Sequence, residues 1–267
     1  MINRSHKHDK TPTSAFSLVE LSIVLLIIGL LAGGVITGQS LIRAAELRGI
    51  ISDQTAFSTA TQAFRDKYFT LPGDMPNATA FWGKDNASCA GDTGAVATPG
   101  SCNGNGNGIL EYPTAASATG ETFRAWQHLA LAGLITGTFT GNAGAVNALD
   151  PDLGVNSPAS KIKSVGWGYG YYNNANGANG YSFNYDMTNW LVLGNEADNA
   201  YADGPAIKTE EAFNIDTKLD DESPATGKVL GNVIGSCTNA TGSTDRTARY
   251  VLTNENANQC GMVFQLF

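Results

Sequence analysis

From Leu21 to Ile42 the chain carries no ionisable residue. At about 1.5 Å per residue, a helix of that run spans about 30 Å, the thickness of a bilayer's hydrocarbon core. The run therefore predicts a membrane helix. Directly before it stands Glu20, within "SAFSLVELSIVLLIIGLLAGGVITG". A carboxylate at apolar depth costs about 2.5 to 3.5 kcal/mol even on lenient insertion scales, so its presence demands a compensating partner.

Upstream of the run, Arg4, Lys7 and Lys10 stand against Asp9 alone. Such a basic leader predicts a cytoplasmic N-terminus, which places everything after Arg43 outside the cytoplasm. The chain of 267 residues is 15% charged, contains 31 glycines and has a formal net charge of -8. With a basic leader, the remainder is more acidic still, which disfavours polyanion partners such as nucleic acid.

Cys89, Cys102, Cys237 and Cys260 form no CxxC pair. In an oxidising compartment the shortest-loop pairing of the three possible joins Cys89 to Cys102 and Cys237 to Cys260, each removing about 3 kcal/mol of unfolded-state loop entropy. Free buried thiols are the alternative. The only histidines are His6 and His8 in the leader and His128. A single imidazole beyond the leader excludes multi-histidine metal sites, and His128 in "AWQHLALAGL" reads as a helix-surface residue. The chain holds no nucleophile or metal constellation of an enzyme, so no catalysis is expected.

Beyond the apolar run, Ile50, Phe57 and Phe64 recur at heptad spacing, with Leu47, Ala60 and Tyr68 on the same face. That pattern predicts one helix over 16–68, apolar over 16–42 and amphipathic over 43–68, ended by "LPGDMP". The following residues, 69–267, read as a globular α+β head. "ETFRAWQHLALAGLI" predicts a second helix, and "KTEEAFNIDTKLDD" a third with Thr209 as its cap. Strand candidates are "YSFNY" from Tyr181, "WLVLG" from Trp190, "KVLGNVIG" from Lys228, "ARYVLT" from Ala248 and "MVFQLF" from Met262. The expected architecture is a long N-terminal helix packed on a small antiparallel sheet.

A basic leader, a small residue and "FSLVEL" running straight into an apolar helix resembles the prepilin N-terminus of type IV pilins and of type II secretion pseudopilins. "AFRDKYFTLPGDMPNATAFWG" is similar to a segment of pilin-like proteins. The resemblance implies removal of residues 1–15 by a prepilin peptidase cutting between Ala15 and Phe16, where the family usually has glycine before the cut. It implies N-methylation of Phe16, with Glu20 becoming the fifth mature residue. It also implies single-pass insertion in a bacterial inner membrane with the head in the periplasm. From there copies of the chain, with other pilins or pseudopilins, would assemble into a pilus or pseudopilus. Glu20 would then pair with an amine of Phe16, either on its own chain or, as the family prefers, on its neighbour. The alternatives are a cleaved signal peptide ending at Ala32 and Gly34, and a plain anchor for a periplasmic binding protein or adhesin, including a minor pilin at a filament tip.

Gly29, Gly33, Gly34 and Gly38 give small-residue spacings that let membrane helices approach closely, or a point where the helix unwinds. "SCNGNGNGILEYP" offers Asn103, Asn105, Asn107 and Glu111 as oxygen ligands at alternate positions, a partial likeness to a calcium loop, with Thr114 where a glutamate belongs. Either a weakly held Ca²⁺ or a plain turn fits. Asp216, Asp220 and Asp221 read as a solvated helix end. The aromatic stretch "GWGYGYYNNANGANGYSFNY" reads as a contact surface or as a hairpin packed on its own core.

Overall fold

The computed structural model describes residues 17–85, 89, 95–112, 120–144, 150–171, 183, 189–196, 202, 204–231, 237–253 and 257–266. Two compact units divide the chain between Ala45 and Glu46. Helix α1, Leu18–Tyr68, is the long helix the sequence predicts. It runs unbroken through Gly33 and Gly34, and an added Cβ at either would meet nothing within 4 Å. The helix ends where Phe69 enters the left-handed region at φ 58°, just before the Leu71–Pro72 step that bars further helix.

In the larger unit the remaining elements are α2 (Ala78–Trp82), α3 (Glu121–Leu131), β1 (Val165–Tyr171), β2 (Asn189–Asn195), α4 (Thr209–Leu219), β3 (Val229–Gly231) and β4 (Met262–Gln265). The four strands form one antiparallel sheet in the order β1-β2-β4-β3. Helix α1 from Leu47 onward packs on its core with the heptad face the sequence marks: Ile50, Ala60 and Phe64 are buried. Phe57 meets Trp126 of α3 at 4.9 Å and Trp167 of β1 at 5.6 Å, both edge to face. The Thr61 hydroxyl and Tyr169 hydroxyl are 2.6 Å apart and form a buried hydrogen bond in that layer.

Strand β1 accounts for the described part of the aromatic stretch. In "VGWGYGY" the side chains alternate strictly, so Val165, Trp167 and Tyr169 enter the main core while glycines line the opposite face. There Gly170 pairs with Trp190, and a Cβ on Gly170 would collide with the Trp190 indole. A second small cluster of Trp190, Val192 and Leu230 forms over those glycines. The stretch is thus core, not surface, over its described part; residues 172–182 and 184–188 lie outside it.

Several local expectations shift. "ARYVLT" forms no strand: Tyr250 makes a single bridge to Thr238, and the chain turns at Leu252. Of "YSFNY" only Phe183 is described, in no strand. Thr209 is the first helical residue of α4, not its cap. Lys208 occupies that place, and its backbone N–H donates to Glu211 Oε2 at 2.9 Å, half of a capping box.

Candidate functional site

In the smaller unit, α1 presents an apolar surface with none of its most hydrophobic stretch buried. The hydroxyls within it are satisfied on the helix itself. Ser22 donates to the Val19 carbonyl at 2.8 Å, Thr37 to Gly33 at 3.0 Å and Ser40 to Thr37 at 2.8 Å. No hydroxyl donor is left to be desolvated alone, which suits a helix in hydrocarbon.

Glu20 has a role that the sequence signals through the spacing Ser17-x-x-Glu20. Glu20 Oε2 accepts the Ser17 backbone N–H at 2.9 Å, while Ser17 Oγ accepts the Val19 N–H at 3.3 Å. This is a capping-box arrangement, with a carboxylate at the positive end of the helix dipole. Glu20 Oε1 has no partner among the described residues. Ala15 and Phe16, the expected processing and methylation positions, lie outside the described residues.

In the head, polar side chains concentrate on α3, and His128 is fully buried rather than on the helix surface. His128 Nδ1 accepts the Gly73 N–H at 2.9 Å, so the ring proton sits on Nε2, which faces Ser101 Oγ at 2.7 Å. Ser101 Oγ in turn donates to Gln127 Oε1 at 2.9 Å, which also receives Arg124 Nη1 at 2.8 Å. Arg124 reaches Asn142 Oδ1 at 2.7 Å and pairs with Asp85 at 3.3 Å. Gln127 Nε2 donates to the Thr140 carbonyl at 3.0 Å. Three side chains of one helix thus hold loops near residues 73, 85, 101 and 140. The direction of the chain of hydrogen bonds is the reverse of nucleophile activation: the histidine donates to the serine, whereas a general base must accept its proton. Both residues are also closed to solvent.

Burial, reinforced by the Arg124 charge and opposed by the Cys102 carbonyl, holds His128 down at about 3. An imidazole neutral in the folded state and titrating near 6.5 when unfolded contributes stability that is whole above pH 6.5 and is lost as pH falls toward 3. Between pH 7.5 and 5 that loss is about 2 kcal/mol. Glu121 works in the opposite sense. Burial raises it to about 7, so its penalty fades as pH falls from 7 toward the unfolded value. A difference measurement separates them: His128→Gln keeps an acceptor for Gly73 and a donor for Ser101 but cannot titrate. In denaturant titrations the wild-type advantage over His128→Gln is expected to shrink by about 2 kcal/mol between pH 7.5 and 5. Parallel pH curves would show that His128 does not carry this linkage.

The loop of Asn103, Asn105, Asn107 and Glu111 is a hydrogen-bonded turn. Asn105 Nδ2 and Asn107 Nδ2 donate to the two oxygens of Glu111 at 2.8 and 3.1 Å. Asn105 Oδ1 accepts the Asn107 N–H and Asn107 Oδ1 the Ile109 N–H, while Asn103 Oδ1 accepts Thr79 N–H. The three amide oxygens offered as calcium ligands each accept one N–H, and none carries a formal charge. The turn is pinned from outside by carboxylates remote in sequence. Asp74 accepts from Asn107 and Gly108, and Glu121 from Asn105 and Glu111.

Cys89 is bonded to Cys102, and Cys237 to Cys260. The chain matches no known protein family, no curated protein and no solved structure.

Proposed function

We propose that this chain is a pilin-like structural subunit, anchored by the apolar part of α1 and polymerised through it into a type IV pilus or pseudopilus. The observation that supports this most is the apolar helix with no buried residue in its most hydrophobic stretch. Such a surface must be covered by lipid before assembly and by neighbouring helices after it. Glu20 adds to it. With Oε2 engaged by Ser17 and Oε1 unpartnered among the described residues, the carboxylate can cap its own helix and still receive the methylated amine of a neighbouring Phe16. A pair of that kind fixes register more than it adds stability.

On this proposal a prepilin peptidase acts between Ala15 and Phe16 at the bacterial inner membrane, and the head lies in the periplasm, the compartment in which the two disulfides form. The competing proposal is a membrane-anchored binding protein or adhesin. Mass spectrometry of the purified protein separates them. A mature N-terminus at N-methylated Phe16 is expected; an intact Met1 would mark a plain anchor, and a start after Gly34 a signal peptide. Glu20→Ala is expected to be processed and inserted but not assembled into filaments, and normal assembly of that variant would refute the register role.

A further inference from the structure

The C-terminal end of α4 gathers three carboxylates, Asp216, Asp220 and Asp221, with one oxygen from each lying within 4.8 Å of the others. Asp216 is completely buried, which overturns its expectation as part of a solvated helix end. Its Oδ2 accepts the Tyr250 hydroxyl at 2.9 Å, but its Oδ1 is buried with no hydrogen-bond partner. The Glu222 backbone N–H also donates to this carboxyl. A buried carboxylate oxygen without a donor is costly and rare. Among the described residues no lysine, arginine or histidine is ion-paired with any of the three acids. They also stand at the negative end of a helix dipole, where cations rather than anions are favoured.

We propose that Asp216, Asp220 and Asp221 bind one divalent cation, calcium, with Asp216 Oδ1 as the inner ligand. The donors are hard oxygens only, which excludes the softer transition metals as the preferred occupant. Two oxygens bound to a Ca²⁺ at about 2.4 Å lie at most about 4.8 Å apart, a limit that the three carboxylates meet. The outer ligands are pre-placed by the turn that follows. Asp220 Oδ2 accepts backbone N–H groups from Lys228 and from Val229, the latter at 2.9 Å. Asp221 accepts the Ser223 N–H at 3.0 Å and the Thr226 hydroxyl at 2.6 Å. The site joins α4 to the turn entering β3 and thus staples the head independently of any filament role.

The test uses the full-length protein in detergent, stripped with EDTA and titrated with CaCl₂ alone by calorimetry and thermal unfolding. One site with Kd at or below about 1 mM is expected, and at 10 mM Ca²⁺ a rise in Tm of about 3 °C or more. Asp220→Asn with Asp221→Asn changes only the two less buried acids and is expected to abolish both signals, while Glu111→Gln keeps them. The proposal is overturned by a wild type silent to 10 mM Ca²⁺, by a double variant that binds unchanged, or by loss of binding only in Glu111→Gln. Preference for Mg²⁺ over Ca²⁺ would overturn the calcium assignment.

Discussion

Removal of both disulfides is expected to unfold the head. Cys89 and Cys102 are 13 residues apart, Cys237 and Cys260 23; loop-closure entropy gives each bond about 3 kcal/mol and the two together about 6. A domain is typically stable by about 5 to 15 kcal/mol, so the pair accounts for a large part of the whole. Each bond also anchors local structure. Ser101, beside Cys102, is the link between His128 and Gln127. Cys260 exchanges backbone hydrogen bonds with Ile207 at the entry to α4, while Cys237 O receives the Val251 N–H at 2.9 Å. Among the described residues the two loops share no hydrogen-bond partner, so their losses should add. Guanidinium unfolding of single-pair and double-pair Cys→Ser variants, followed by tryptophan fluorescence, measures this. A four-serine variant keeping the wild-type midpoint would show that the bonds contribute nothing.

The long helix was legible because its signal is one-dimensional: an uncharged run long enough for a bilayer, then a heptad repeat whose positions Ile50, Phe57 and Phe64 meet the core. Helices α3 and α4 carried the same period. What escaped the sequence depends on partners far along the chain. Helix α3 is buried from Glu121 through Leu129 on every side, so an amphipathic pattern with Arg124, Gln127 and His128 on its polar positions does not betray that those side chains are inside. Their partners at Gly73, Asp85, Ser101, Thr140 and Asn142 come from loops that no local pattern connects. Strand β1 was obscured because every second residue is glycine, which lowers strand propensity while leaving the alternation intact. For Asp216, the helical spacing to Asp220 was visible, but the Tyr250 hydroxyl that holds it inside was not. The cap of Glu20 was fully local, written in Ser17-x-x-Glu20, and was hidden behind the larger question of its charge.

Trp126→Ala is the single substitution expected to cost most. Its side chain is completely enclosed and sits where three layers meet, with Phe57 of α1 at 4.9 Å, Tyr169 of β1 at 4.3 Å and Phe139 at 6.4 Å. Truncating a buried tryptophan removes its transfer free energy and leaves a cavity, a loss of about 3 to 5 kcal/mol. The edge-to-face contact with Phe57 adds to this, since such pairs are worth about 0.5 to 1.5 kcal/mol beyond area. The neighbours cannot close the gap cheaply: Tyr169 is tied to Thr61 through its hydroxyl, and Phe57 is held between Trp126 and Trp167. Trp126→Phe keeps a ring in the same place and should lose less than half as much. Urea unfolding of the two variants checks the ratio. Equal losses would mean that the contact geometry around the ring carries no stability of its own. A loss below about 1 kcal/mol for Trp126→Ala would mean that the packing of α1 on β1 does not run through α3.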